Sequence, residues 1–193
     1  MNLKGCMAVW AVLAIGGYAL QSCNTAPVKE VWLDELGQDS CYVQDWGTVE
    51  INRSVVLTPL TVNGIVYERG LGAHSISRIL YDLKSEAVSI SGLAGADDNN
   101  RFAGKLQFKI VGDQKELWKS GVMKKGDPVK EFNVSLKGVD KVLLLVEECG
   151  DGIMYDHADW LNVKIETRGD VKPVRAWAKS IAKEKYILYS AGS

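Results

Sequence analysis

Apolar and polar residues alternate with a period of two through much of the chain. In KLQFKI, Leu106, Phe108 and Ile110 fall on one side and Lys105, Gln107 and Lys109 on the other, the pattern of a strand with one buried face and one wet face. The segments RILYDL, AVSISGLAG, ELWKSG, VKEFNVSL and KVLLLVEE read as further strands at short, turn-separated intervals, several of them alternating in the same way. LTVNGIVY, Leu60 to Tyr67, sets Asn63-Gly64 between two apolar runs, which predicts a tight hairpin. No helix-period segment precedes residue 170, so the pattern predicts an all-β domain, a β-sandwich or jelly roll. One stretch resists the alternation. In WLNVKI, either Trp160, Asn162 and Lys164 or Leu161, Val163 and Ile165 face inward; the second set is the apolar one, yet it turns Trp160 outward at the start of the strand.

The two ends read differently. Lys4 precedes an apolar run, Met7 to Leu20, with the length of a signal-peptide core and too short to cross a bilayer as a helix. LQSC, Leu20 to Cys23, resembles a bacterial lipobox, although Gln21 is an unusual occupant; the alternative is an ordinary signal with a chance cysteine. The expected organisation is a lipoprotein signal peptide at 1–22, a tether at 23–30, a sandwich at 31–169 and a C-terminal helix or linker at 170–193. Acylation of Cys23 would hold the protein on a membrane at the bacterial cell envelope, periplasmic or on the outer surface. In KPVRAWAKSIAKEKY, Pro173 suits a first helical position, and Val174, Trp177, Ala178 and Ile181 share one helical face. That segment reads as a helix lying on the sandwich or as the start of a linker to a further domain, with the chain truncated before a hydrolase.

The formal net charge is −1, which argues against nucleic acid as a partner, since a basic face is its usual footprint. Once Cys6 leaves with the signal and Cys23 is acylated, Cys41 and Cys149 remain. They form either one disulfide or two separate buried thiols, and spacing does not decide between them.

The densest chemistry lies in GDGIMYDHADW, Gly150 to Trp160. A zinc site is poorly supported, because His74 and His157 are the only histidines and no HExxH or paired CxxC occurs. Glycosidase chemistry requires two carboxyl groups across a cleft, and nothing in the sequence places Asp156 and Asp159 in one. A site that grips a sugar needs less: polar groups that both donate and accept, and an aromatic ring for the apolar C–H face. Asp97, Asp98, Asn99, Asn100, Asp156, His157 and Asp159 offer the polar groups, and Trp46 or Tyr155 the ring. His74 is counted with them, its alternative being a buried, hydrogen-bonded histidine. DDNN has the alternative of a solvated turn. Gly70 and Gly72 read as backbone devices for positive φ or close approach, and Glu68 with Arg69 as a surface pair.

VWLDEL, DWGTVEINRSV, PLTVNGIVYERGLGAHS, GADDNN and YDHADW occur in an order that resembles the NPCBM domain, a carbohydrate-binding module found beside glycoside hydrolase catalytic domains such as α-galactosidase-like ones. The resemblance spans about Val31 to Thr167. It implies a jelly-roll sandwich related to galactose-binding-like domains, with a sugar bound by loops at one end, and a calcium ion in some relatives; calcium would take six to eight oxygen ligands. The expected function is therefore non-catalytic recognition of a terminal, galactose-like sugar of a glycan, beside a glycoside hydrolase domain. The alternative is a structural module of a truncated hydrolase that binds no sugar itself.

Overall fold

The computed structural model describes residues 26–37 and 42–174. The strands are β1 (Lys29–Trp32), β2 (Tyr42–Gln44), β3 (Glu50–Ile51), β4 (Leu60–Val62), β5 (Ile65–Tyr67), β6 (Gly70–His74), β7 (Ser77–Asp82), β8 (Ala87–Ala96), β9 (Leu106–Gly112), β10 (Lys115–Met123), β11 (Lys130–Ser135), β12 (Lys141–Glu148), β13 (His157–Thr167) and β14 (Lys172–Pro173). A single turn of 3-10 helix, Leu33–Glu35, follows β1. The first sheet runs β11-β8-β13-β6-β3, with β1 beside the later half of β13; the second runs β10-β9-β12-β7-β14, with β2 on β7. The two sheets face each other as an antiparallel β-sandwich.

Alternation fills the space between the sheets. Leu106, Phe108 and Ile110 from β9, Val142, Leu144 and Val146 from β12, and Ile90 and Ala94 from β8 all lie in one core, as the period-two pattern dictates. The Asn63-Gly64 turn has positive φ at both residues, 49° and 76°, the requirement of the tight hairpin that joins β4 to β5. That hairpin packs Leu60 and Val62 with Leu161 on the outer side of the first sheet.

Gly70 and Gly72 are devices of close approach. A Cβ on Gly70 would stand 2.4 Å from the Trp160 carbonyl oxygen, and one on Gly72 would stand 2.1 Å from that of Arg53. The missing side chains let neighbouring backbone lie against β6. Arg69 differs from the expected surface pair with Glu68: its guanidinium bonds Asp34 and Glu35 and lies 4.4 Å from the Trp32 ring, fastening the turn after β1 to the start of β6.

The ambiguity in WLNVKI resolves through a bulge. Along β13 the pairing with β8 shifts between Leu161 and Lys164, and Asn162 has φ of 50°. One extra residue at a bulge restores the phase, so Trp160, Val163 and Ile165 all enter the main core while Leu161 packs under the hairpin. Trp160 is therefore buried, not turned outward. Pro173 lies in β14, paired with Tyr81 of β7, rather than at a helix start. Edge pairing suits a residue with no N–H to give. The signal and Cys23, the residue Cys41, and the segment carrying Trp177 lie outside the described residues; Cys149 itself is half-buried. Among the described residues no helix is long and apolar enough to cross a membrane.

Candidate carbohydrate site

The register of β13 on β6 sets His157 opposite His74, which gathers two imidazoles at one end of the first sheet. The ring centroids lie 5.6 Å apart. Trp46 joins them from the loop after β2, 5.1 Å from His74 and stacked parallel to His157 at 5.8 Å. Gln44 holds it there: its amide Nε2 donates to the Trp46 carbonyl at 2.8 Å, and its Oε1 accepts from the His74 backbone N–H at 2.9 Å. One side chain thus ties the tryptophan loop to β6.

These three rings, with Ile153, Met154 and Tyr155, line an open pocket of about 290 Å³, the scale of a small-molecule site. Its wall carries no carboxylate. Burial lowers the pKa of His74, and burial together with the neighbouring His74 lowers that of His157 to about 4. Both rings are neutral at pH 7, so each carries one protonated and one unprotonated nitrogen. Because Nδ1 of His74 bonds the Ser75 carbonyl, an acceptor only, that nitrogen carries the proton and Nε2 is the acceptor. The Ser75–Ile76 peptide beside it is cis.

The acids stand behind this wall. Asp156 is fully buried, and Ser75 Oγ donates to its Oδ2 at 2.5 Å. Its other oxygen occupies the space that a side chain at position 104 would fill, 2.1 Å from where a Cβ on Gly104 would be. Burial raises the Asp156 pKa to about 6, opposed by the Ser75 bond. Asp97 is also fully buried, its Oδ1 accepting from the Asn99 N–H at 2.6 Å and its Oδ2 from the Thr61 N–H at 3.3 Å. Asp98 accepts from the Gly64 N–H at 2.7 Å. Asn100 is buried too, so DDNN is a packed turn that grips the β4–β5 hairpin, not a solvated one. Asp159 is buried beside Asp97, and burial followed by the Asp97 charge holds its carboxyl well above the usual range.

Of the residues expected from sequence, the structure thus brings Trp46, His74, Tyr155 and His157 to one pocket. It sets Asp97, Asp98, Asp156 and Asp159 to work on backbone and core, and leaves Asn99 exposed on the adjoining turn. Ile153 and Met154 escaped sequence reasoning, as did Gln44, because single apolar or amide residues in a loop carry no signal of their own. Asp97 accepts from two backbone N–H groups, and among the described residues no three His, Cys, Asp or Glu side chains converge as metal ligands.

Tyr155 has φ of 69°, a left-handed conformation that costs a bulky residue about 1–2 kcal/mol. Tyr155→Gly and Tyr155→Ala delete the same ring, but only glycine relieves the backbone. Urea denaturation is expected to find the glycine variant more stable than the alanine variant by about 1 kcal/mol; the reverse order would show that the tyrosine backbone stores no strain.

The profile of the NPCBM/NEW2 domain matches residues 29–166. The chain belongs to this family. Among curated proteins, the NPCBM domain is 29% identical over 162 residues to a Renibacterium salmoninarum protein with a provisional endo-alpha-N-acetylgalactosaminidase assignment, covering 81% of this chain and 11% of that protein. It is 29% identical over 130 residues to alpha-1,3-galactosidase B of Akkermansia muciniphila, covering 65% and 16%. The chain therefore spans only a small part of these relatives. Among solved structures, CBM51 from Clostridium perfringens GH95, in complex with methyl-galactose, aligns with a TM-score of 0.64 at 25% identity, over 71% of this chain and 99% of that one. CBM51-2 of Clostridium perfringens ZmpB, at 24% identity and a TM-score of 0.66, covers 72% of this chain and 32% of its own and shares the fold. The NPCBM domain thus has the sandwich of carbohydrate-binding modules.

Proposed function

We propose that this domain is a non-catalytic carbohydrate-binding module that takes a terminal, galactose-like sugar into the pocket of Trp46, His74, Tyr155 and His157. The observation that carries the reading is the convergence of one exposed tryptophan ring with two neutral imidazoles. The ring offers a platform for C–H groups, and the imidazoles match hydroxyls that donate and accept. The methyl-galactose complex of the Clostridium perfringens CBM51 supports the class of ligand. The likeness of the domain to carbohydrate-binding modules supports the non-catalytic reading. Cys23 acts as the lipid anchor, placing the module at the cell envelope, where many copies raise avidity for a weakly bound sugar. A glycoside hydrolase domain is its working partner, in keeping with the relatives whose module regions it matches.

Titration calorimetry with methyl galactoside tests the site. The protein is expected to bind it saturably, and Trp46→Ala to weaken it about tenfold or more, the loss of roughly 1.4 kcal/mol of ring contact. Trp46 is 48% exposed, so the melting temperature should stay nearly constant. No binding by the parent protein to methyl galactoside or to a glycan array would leave the structural-module alternative. Fatty-acid labelling that fails to distinguish the parent from Cys23→Ser would remove the anchor.

A further inference from the structure

Three of the exposed large apolar residues, Trp46, Phe102 and Met154, gather around one end of the sandwich, and Phe102 has no place in the pocket wall. It is 55% exposed, on the loop that leads from DDNN into β9. Two contacts press that loop against the pocket-forming segment. Gly104 lies so close to Met154 and Tyr155 that an added Cβ would stand 2.8 Å from the Met154 carbonyl oxygen and 2.9 Å from the Tyr155 carbonyl carbon. The Cys149 N–H donates to the Lys105 carbonyl at 3.0 Å. The Phe102 ring in turn meets Tyr155 edge-on, with centroids 5.0 Å apart at 67°, and the Arg101 guanidinium stands 5.6 Å from the Phe102 centroid.

We propose that the binding site continues past Tyr155 onto Phe102 and Arg101, which form a second subsite for the next sugar of a glycan chain. This rests on the sugar-binding reading of the pocket. An exposed phenyl ring held by a tyrosine edge is a stiff apolar platform, prepared before any ligand arrives, so little ordering opposes its use. Sugar rings carry C–H groups on one face and hydroxyls around the rim. Phe102 meets the face, and the Arg101 guanidinium, which has only donors to offer, meets hydroxyl oxygens. Through its contact with Tyr155, Phe102 extends the exposed apolar surface that Trp46 and Met154 present at this end, and an exposed apolar patch with a polar rim marks an interaction site. Tyr155 is the hinge of the arrangement, touching the first pocket on one side and Phe102 on the other. Specificity for the penultimate sugar and its linkage is then set by the loop before β9, while the terminal sugar is set by Trp46 and the histidines.

Calorimetry with methyl galactoside and with galactose-terminated disaccharides of α1,3, β1,3 and β1,4 linkage separates the two subsites. At least one disaccharide is expected to bind the full protein about five- to tenfold more tightly than methyl galactoside, a gain of about 1–1.4 kcal/mol. Phe102→Ala should erase that gain and leave methyl galactoside affinity unchanged, whereas Phe102→Tyr, which keeps the ring, should retain it. Arg101→Ala should lose part of it. Equal affinity of the parent for monosaccharide and every disaccharide would overturn the second subsite, as would a gain that survives Phe102→Ala. A fall of both affinities together in Phe102→Ala would also overturn it, showing that Phe102 only buttresses Tyr155. Failure of the parent to bind methyl galactoside and all the disaccharides would sink the sugar-binding reading itself, a result distinct from the others.

Discussion

Trp160→Ala is expected to destabilise the domain by about 3–5 kcal/mol, the cost of truncating a buried aromatic residue. Trp160 is fully buried and meets Phe108 and Phe132 edge-on, at 4.9 Å and 5.7 Å between centroids and angles of 84° and 81°. It therefore bridges β9 of one sheet to β11 and β13 of the other, and its loss leaves a cavity where the sheets meet. A midpoint shift of more than about 10 °C in thermal unfolding should accompany it. Trp160→Phe should cost much less, because phenylalanine keeps most of the volume and removes an indole Nε1 that has no hydrogen-bond partner, a donor whose burial opposes folding by about 1–3 kcal/mol. Alanine and phenylalanine variants of equal stability would show that the ring's volume is not what joins the sheets.

The second large effect concerns Asp159→Asn, and its sign depends on pH. Burial and the Asp97 carboxylate raise the folded-state pKa of Asp159 well above its ordinary value of 3.8. A group whose folded pKa is raised binds protons more strongly in the folded state, so stability is lost as pH rises from about 4 through that higher pKa. Asparagine carries no proton to lose and can still donate toward Asp97. The variant should therefore be more stable than the parent at pH 7, with the difference shrinking as pH falls toward 4. Melting curves taken across that range read the trend directly. A parent that gains on the variant as pH rises would mean that Asp159 is ionised and held by hydrogen bonds in the folded state.

Asp156 works in the same direction and His157 against it. The Asp156 carboxyl, raised to about 6, takes stability away as pH climbs from about 4 to 6. His157, lowered to about 4, returns stability over the interval from 4 up to its ordinary 6.5. Their contributions oppose each other in that window, so the difference between the parent and Asp159→Asn, rather than the trend of the parent alone, isolates Asp159.

The fold was legible because its signals are periodic or local. KLQFKI alternates cleanly, and its three apolar residues are all in the core; Asn63-Gly64 forms a turn through its own backbone preferences. The site was legible in part. His74 and His157 sit on adjacent strands in register, and the family motifs pointed to both. The placing of the acids was not legible, since composition cannot tell a carboxylate at a pocket wall from one that captures backbone N–H groups. Asp97 does the latter for Asn99 and Thr61. Trp160 was ambiguous because a bulge adds one residue to a two-residue period and leaves no mark in the sequence beyond an asparagine. The contact of Phe102 with Tyr155 was not legible either, because an isolated phenylalanine in a loop carries no signal of its neighbours.

The bulge at Asn162 also says where this domain can change length. Leu161 pairs with Leu93 and Lys164 with Ser91, so two residues stand across from one. Deleting one of the pair would leave an unbroken ladder, with Trp160 and Ile165 still facing inward. What would change is twist, which a bulge increases locally. The first half of β13 carries His157 beside β6, and the second half carries the partner residues of β1. An insertion or deletion at this one joint would therefore re-aim the pocket-bearing end relative to the end that bears the N-terminal strand, while the hydrophobic interior kept its composition.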